Sequence, residues 1–188
     1  MFRDDIEKSL ELLIQGGVIL YPTDTVWGIG CDAVNSMSVE RIYAIKHRNE
    51  TQTMLALVDG FDALAAYVDD VPEIVVQLME KAERPLSIIY PKAKNLAANL
   101  IAADGSIGIR IVQDPFCQQL IKAFGKPIVA TSANISGQPT PCIFDEISGN
   151  IREAVDYIVR WRQDDQQPAT ASAIVRLNED GSYQVIRN

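Results

Sequence analysis

Four polar stretches interrupt the apolar runs of this sequence, and their side chains could bind an anionic ligand. They are Thr-Asp-Thr at 23–25, Lys-His-Arg at 46–48, the lone Arg110, and Thr-Ser-Ala-Asn-Ile-Ser-Gly at 131–137. Lysine and arginine neutralise phosphate and carboxylate groups, and hydroxyl and amide groups donate hydrogen bonds to them. Together these residue types suit phosphoryl or nucleotidyl transfer, in which positioning and charge neutralisation supply most of the catalysis.

Each stretch also has a purely structural interpretation. The residues at 23–25 are consistent with an ordinary hairpin turn, and those at 46–48 with cations that complement the dipole at a helix C-terminus. The stretch at 131–137 is consistent with a turn that caps the next segment. Arg110 either faces water at a sheet edge or receives a carboxylate. The residues alone leave these alternatives open.

Several other chemistries are excluded by residues that the sequence lacks. His47 is the only histidine, so a histidine metal cluster cannot form, and a serine or cysteine triad would need an imidazole that lies between two cations. A Walker phosphate loop and a dinucleotide glycine fingerprint are both missing. The three cysteines have no metal-type spacing, which favours reduced thiols and a cytoplasmic protein.

Composition predicts a globular protein with one substantial core. The chain has 188 residues, 47% of them hydrophobic, and a net charge of −8, which predicts a single domain over residues 1–188. No apolar run is long enough to span a membrane, and the N-terminus does not resemble a signal peptide. The acidic balance argues against a surface built wholly for nucleic acid.

Helical and extended patterns alternate along the chain and must position the polar stretches. Helices are predicted to begin at Asp4 or Asp5 and at Ser36 or Ser38, and to cover 61–67, 72–82 and 115–124. Strands are predicted at 18–21, from 26, and at 53–58, 86–90, 107–111, 127–131, 155–159, 172–177 and 183–186. Several strands follow one another without a helix between them, so we expect an α/β fold with a mixed sheet. Open sheets of this class bind ligands at strand carboxyl ends, where the stretch at 131–137 begins.

The polar stretches, taken in order, resemble the motifs of the YrdC-like family. The matching segments are Tyr-Pro-Thr-Asp-Thr-Val-Trp-Gly-Ile-Gly at 21–30, Lys-His-Arg at 46–48, Gly-Ile-Arg at 108–110, and Thr-Ser-Ala-Asn-Ile-Ser-Gly at 131–137. The resemblance extends to Ser172 and Arg187. It implies a twisted mixed parallel and antiparallel sheet with flanking helices and a large concave cavity, in the single-domain form.

The resemblance also implies an activity, because the family includes the threonylcarbamoyl-AMP synthases. Such a nucleotidyltransferase joins L-threonine, bicarbonate and ATP, with Mg²⁺ accompanying ATP and no metal site in the protein. Its product serves further proteins that form threonylcarbamoyladenosine in tRNA. By resemblance, the threonine contacts are Thr25, Arg110, Ser132 and Ser172. The nucleotide contacts are Lys46, Arg48, Gln52, Ser106, Asn134, Cys142 and Arg187, and Lys46 and Arg48 are also the catalytic pair.

The sequence departs from the family pattern at several positions. Asn49 replaces the proline that usually follows Lys-x-Arg, and residues 82–85 read Ala-Glu-Arg-Pro where Trp-Pro-Gly-Pro is usual. Gln52 aligns with an asparagine, and Cys142 with a hydroxyl residue. Leu57 aligns with a histidine of the threonine site. Since leucine cannot replace the polar contact of a histidine, we expect this last change to affect substrate recognition.

Two other functions are compatible with the same fold. The first is a tRNA- or double-stranded-RNA-binding or ribosome-maturation factor, which the net charge of −8 disfavours because RNA backbone binding needs clustered cations. The second is a paralogue that acts on a different acyl or amine substrate. A paralogous branch of the family lacks both the Lys-x-Arg and the Ser-x-Asn pairs. This sequence has both, which favours the synthase.

Overall fold

A computed structural model describes residues 2–188, and within them nine strands form one mixed sheet. In chain order the strands are β1 (Ile19–Tyr21), β2 (Gly28–Gly30), β3 (Leu55–Val58), β4 (Leu86–Tyr90), β5 (Ile107–Ile111), β6 (Ile128–Ser132), β7 (Tyr157–Ile158), β8 (Ala173–Leu177) and β9 (Tyr183–Arg187). Their order across the sheet is β7-β1-β2-β6-β3-β5-β4-β8-β9. The β1–β7, β3–β5 and β4–β8 pairs are parallel and the others antiparallel. The predicted mixed sheet is therefore confirmed.

Residues 2–188 also form six α-helices and one 3₁₀ turn at Phe144–Glu146. The helices are α1 (Arg3–Ile14), α2 (Ser36–Lys46), α3 (Phe61–Leu64), α4 (Glu73–Lys81), α5 (Pro115–Phe124) and α6 (Gly149–Ala154). The helix predicted over 61–67 ends early, because Ala66 and Tyr67 donate to carbonyls three residues back rather than four. The short α6 was not predicted. Only Ile151 of its residues is buried, so it has no apolar periodicity to detect.

The helix starts differ from the predicted caps. At α1 the N-cap position is Phe2, without a side-chain cap, and Asp5 lies inside the helix. Its carboxylate instead accepts hydrogen bonds from the backbone N–H groups of Arg160 (3.1 Å) and Trp161 (3.0 Å). At α2 the capping residue is Asn35, whose side chain accepts from the N–H groups of Met37 and Ser38. The predicted aspartate and serine caps are therefore wrong.

The two faces of the sheet are covered to different extents. One face packs against α2, α3 and α4 in a large apolar core. The other face packs against α1 and α5 over β1, β3 and β6, through side chains such as Ile19, Leu57 and Ile128. On the same face, β4, β5 and β8 carry the alternate residues Ser87, Arg110 and Arg176, which are polar. This face is therefore apolar where helices cover it and mixed beyond them, where Ile89 and Ile174 lie among the polar residues.

Leu57 lies in the second apolar core and is also the cross-strand partner of Arg110, on the same face of the sheet. Its side chain is fully buried and packs in the same cluster as Phe116 of α5. This position therefore adjoins the Arg110 side chain with an apolar group where the family motif has a histidine. The expectation that Leu57 alters substrate recognition stays a prediction.

Gly30 allows β2 to pack closely against the neighbouring strands β1 and β6. A Cβ atom at this position would lie 2.5 Å from the Val129 carbonyl oxygen and 2.6 Å from Cε1 of Tyr21. The Tyr21 hydroxyl donates to the same Val129 carbonyl at 2.9 Å, so the ring cannot move aside without losing that bond.

We expect Gly30→Ala to lower the free energy of unfolding by about 1–3 kcal/mol, because an added methyl group overpacks the contact of β2 with its neighbouring strands. The matched control is Gly60→Ala, since a Cβ there meets nothing within 4 Å. Urea unfolding of both variants measures the difference. Equal urea midpoints for the two variants would contradict the close packing around Gly30.

No helix within residues 2–188 combines the length and the apolar character needed to cross a membrane.

Candidate active site

The polar part of the open sheet face forms a hollow that encloses about 230 Å³. Polar and apolar side chains both line it, and Val26, Trp27, Met54, Leu55, Ala130 and Ile174 supply apolar wall. Six of the residues predicted from the sequence contribute to the lining: Thr25, Arg48, Arg110, Ser132, Ser172 and Arg187. These residues come from distant parts of the chain, so the fold brings them together.

Arg110 lies in the floor of the hollow and is 4% exposed. Its Nη2 lies 3.1 Å from Asp24 Oδ1 and 3.5 Å from the Thr23 hydroxyl oxygen. Its buried Nε has no hydrogen-bond partner. The alternative of an arginine that faces water at a sheet edge is therefore wrong. A guanidinium held by one carboxylate on one side keeps donors free for a second carboxylate.

The turn at 23–26 is held by its own hydroxyl groups. The Thr23 hydroxyl oxygen accepts from the Thr25 N–H at 3.0 Å and donates to the Val26 carbonyl at 2.9 Å. It also lies 2.9 Å from the Thr25 hydroxyl. Because the Thr23 proton goes to Val26, the Thr25 hydroxyl donates to Thr23. The lone pairs of Thr25 then remain available in the hollow as acceptors.

Lys46 joins the end of α2 to the 131–137 segment. The residue is 1% exposed, and its ammonium donates to the backbone carbonyls of Ser132 and, at 2.7 Å, Asn134. The Lys46 carbonyl accepts from the Ser136 N–H at 2.9 Å. Lys46 therefore lies behind the wall of the hollow and fixes the loop that presents Ser132.

Arg48 reaches the hollow itself. The chain turns at His47, whose backbone is left-handed with φ 49°. The Arg48 Nε then donates to the Gln52 carbonyl at 2.6 Å and Nη2 to the Thr53 carbonyl at 2.9 Å. These bonds orient the guanidinium while leaving its charge unpaired. A role restricted to the helix dipole does not account for this placement.

Burial lowers the pKa of Lys46 to about 7, and the nearby Arg48 charge adds to the effect. A neutral amine keeps two N–H donors, so both carbonyl bonds survive deprotonation. Between pH 7 and the ordinary value of 10.5, the unfolded chain binds this proton and the folded chain does not. The free energy of unfolding therefore rises with pH across that window.

For the ligand-free protein, we expect this group to add on the order of a few kcal/mol between pH 7 and 10. The measurement compares urea unfolding of the wild type with that of Lys46→Met over this range. The rise should be present in the wild type and absent from the variant. Parallel pH curves would show that Lys46 keeps its ordinary pKa.

A further pair of cations lies at the opposite wall. The Arg187 Nε donates to the Ser172 carbonyl at 3.0 Å, and Arg84 Nη2 to the Ala171 carbonyl at 2.9 Å. Burial and the positive charges of Arg84 and Arg110 lower the pKa of Arg187. The Ser172 hydroxyl is oriented by the Ser87 hydroxyl at 2.8 Å. Cations therefore converge on one hollow in a protein whose net charge is −8.

Besides Lys46, four predicted site residues lie outside the lining of this hollow. The Asn134 amide donates to the carbonyls of Ile135 and Gln138, and the Gln52 side chain is exposed. Ser106 bonds to Asp104 at 2.6 Å and lies four residues before Arg110 on the same face, roughly 13 Å along the strand. Cys142 lines a small adjoining cavity that also touches Thr25.

Two residues that orient side chains of the lining, Asp24 beside Arg110 and Ser87 beside Ser172, were not assigned from the sequence. Asp24 was within the first polar stretch, but its pairing with Arg110 joins residues far apart in the chain. Ser87 could have been found, because it is a polar residue at the centre of an apolar strand pattern.

Among residues 2–188, no group of three or more His, Cys, Asp or Glu side chains is placed to hold a metal ion.

Residues 11–188 match the profile of the Sua5/YciO/YrdC family, which has the description telomere recombination. The chain belongs to this family. Among relatives of this Sua5/YciO/YrdC protein is the threonylcarbamoyl-AMP synthase of Pseudoalteromonas translucida, 36% identical over 84% of this chain and 86% of that protein. The threonylcarbamoyl-AMP synthase of Vibrio parahaemolyticus is 32% identical over 76% of this chain and 78% of that protein.

Solved structures of the Sua5/YciO/YrdC family have the same fold. E. coli YciO superposes with a TM-score of 0.82 at 26% identity, covering 98% of this chain and 89% of its own. P. abyssi Sua5, solved in complex with L-threonine, superposes with a TM-score of 0.81 at 23% identity and covers 93% of this chain. The present chain spans 51% of that Sua5 chain, and the likeness to it shows the fold.

Proposed function

We propose that this protein is a threonylcarbamoyl-AMP synthase that forms threonylcarbamoyl-AMP and pyrophosphate from L-threonine, bicarbonate and ATP. The observation that carries the proposal is the buried Arg110, whose Nε has no partner, in a hollow that also exposes Arg48 and Arg187. An amino acid needs a cation that binds its carboxylate, and a nucleotide needs separate cations that bind its phosphates. The names of the relatives support the same activity.

In this proposal threonine occupies the floor of the hollow. Arg110 receives its carboxylate through the donors that Asp24 leaves free, and Thr25 accepts from its ammonium or hydroxyl group. Ser172 and Ser132 close the sides. The enclosed volume of about 230 Å³ is below the usual range of about 300–1,000 Å³ for small-molecule sites, so it suits an amino acid. L-Threonine bound to P. abyssi Sua5, a protein of the same fold, supports this choice.

ATP then extends along the open side of the hollow. Arg48 and Arg187 neutralise its phosphates from opposite walls. Lys46 holds the 131–137 loop, so that Ser132 and Asn134 are fixed beside them, and adds a positive charge from behind when it is protonated. Mg²⁺ enters with ATP as part of that substrate.

The chemistry needs orientation and charge neutralisation rather than a protein nucleophile. The threonine amine attacks bicarbonate, a C–N bond forms and water leaves, which gives a carbamate. A carbamate oxygen attacks the α-phosphorus of ATP, and the bond from that phosphorus to the bridging oxygen breaks. Pyrophosphate leaves with the electron pair. Fixed cations stabilise the charge that develops on the phosphates, and the product serves tRNA threonylcarbamoyladenosine formation.

The test is to incubate the pure protein with Mg-ATP and bicarbonate and each amino acid in turn, and to measure pyrophosphate release. We expect release that requires threonine and falls when bicarbonate is withdrawn. Release with a different amino acid instead would identify a paralogue with another amine substrate. Salt-sensitive binding of double-stranded RNA without threonine-dependent release would favour the RNA-binding function.

A further inference from the structure

Arg162 connects the loop after β7 to the turn that forms the floor of the hollow. Its Nη1 donates to the Thr23 carbonyl at 2.9 Å and to Asp114 Oδ2 at 3.1 Å. Its Nε and Nη2 donate to Asp165 Oδ2 at 3.3 and 3.2 Å. One guanidinium therefore joins three separate segments of the chain.

The backbone of Arg162 is unusual for a residue with a side chain. Its φ is 65°, in the left-handed region that non-glycine residues rarely adopt. Such strain persists only where surrounding contacts over-determine it, and it tends to occur at functional sites. Here the contacts that hold it are the bonds made by its own guanidinium.

The partners of Arg162 belong to the framework of the floor. Asp114 also caps α5, because its Oδ1 accepts from the Cys117 N–H at 3.0 Å. Next to it, the Gln113 N–H donates to Asp24 Oδ2 at 3.0 Å, and Asp24 is the carboxylate that pairs with Arg110. Arg162 therefore fixes the carbonyl side of Thr23, while the Thr23 hydroxyl touches both Thr25 and Arg110.

We infer that Arg162 is a positioning residue that sets the geometry of the amino-acid subsite and not that of the nucleotide subsite. The inference rests on the proposed function, since it assigns threonine to the floor made by Thr25 and Arg110. Arg162 acts through the Thr23 carbonyl and does not line the hollow. Arg48, which belongs to the proposed phosphate wall, is held by a different set of carbonyls.

The main variant is Arg162→Gly, because glycine adopts the left-handed backbone without strain and removes only the side-chain bonds. We expect the KM for threonine to rise about tenfold or more, since small misplacements at a site cost one to two orders of magnitude. The KM for ATP should stay within about twofold of the wild-type value, because the proposed phosphate contacts lie outside the segment that the substitution disturbs. Arg162→Lys should recover part of the loss, because it keeps the charge but not the planar fork.

A second readout does not depend on turnover. Hydrogen exchange of a peptide covering residues 21–27 should be about tenfold faster in Arg162→Gly. Local opening of this turn is easier in the variant, because it no longer has to break the hydrogen bonds of Arg162. Exchange of β3 should be unchanged. The matched control is Arg160→Ala, which removes an arginine two positions away whose side chain is 70% exposed.

The outcomes separate the inference from the proposed function. Threonine and ATP KM values that rise together, or a 21–27 peptide with wild-type exchange, would overturn the positioning role. A wild-type protein without threonine-dependent pyrophosphate release would overturn the proposed function instead, and the exchange measurement would then still decide whether Arg162 holds the turn.

Discussion

Replacing Arg110 by alanine is expected to raise the KM for threonine by about 100-fold or more, with a smaller effect on the KM for ATP. The variant removes the only buried cation in the floor of the hollow among residues 2–188, and with it the receiver of the substrate carboxylate. Losing one partner of a buried, hydrogen-bonded charge pair costs about 2–5 kcal/mol. Steady-state pyrophosphate release at varied threonine and saturating ATP measures the effect.

The same change also leaves Asp24 buried without its cation, so lost stability must be separated from lost binding. The double variant Arg110→Ala with Asp24→Asn removes that buried charge and should recover part of the thermal stability without recovering threonine affinity. Arg176→Ala is the control on the same sheet face, because Arg176 pairs with Asp104 at 3.1 Å away from the hollow. An Arg110→Ala enzyme with the wild-type threonine KM would contradict the assignment.

The double variant Lys46→Ala with Arg48→Ala is expected to reduce kcat by about 1,000-fold or more, because the Arg48 charge that stabilises the developing phosphate charge is lost together with the amine that holds the 131–137 loop. Lys46 also ties the Ser132 and Asn134 carbonyls to α2, so its loss loosens the loop beside the nucleotide. Pyrophosphate release at saturating substrates provides the measurement.

Two further variants sharpen this experiment. Lys46→Met keeps most of the buried volume and removes a desolvated amine, so a stable but inactive protein is the expected result. Lys122→Ala removes an exposed lysine of α5 and should behave as the wild type. Unchanged turnover in the Lys46 and Arg48 variant would remove both residues from the mechanism.

The sequence was sufficient to predict the mixed sheet and much of the polar lining. Local signals carried those predictions: apolar strand patterns, Pro115 and Gly125 at the ends of α5, and polar residues directly after β6. The positions of Arg110 and Thr25 in one hollow followed from their resemblance to a family motif. Such features are encoded within short segments, where propensity and spacing act directly.

The partners of these residues could not be predicted, because they depend on contacts between distant segments. Lys46 was expected to face phosphate, yet its ammonium bonds to carbonyls 86 and 88 residues away. Asp5 was expected to cap a helix, but it accepts from N–H groups more than 150 residues later. In both cases tertiary packing offered a buried polar group a stronger set of partners than its local sequence did.

Leu57 shows both what an alignment can predict and what it cannot. Alignment placed it at a threonine contact, and the pairing of β3 with β5 sets it beside Arg110 on one sheet face. Its packing in the same apolar cluster as Phe116 depends on α5, a distant segment that the alignment does not describe.

The central claim is that one hollow joins an amino acid, bicarbonate and a nucleotide. Mass spectrometry of the product formed from ¹³C-bicarbonate, L-threonine and Mg-ATP tests it most directly. The account predicts one compound that contains threonine, AMP and the heavy carbon, formed in equal amount with pyrophosphate. A product that contains AMP and threonine without the heavy carbon, or no adenylate at all, would contradict it.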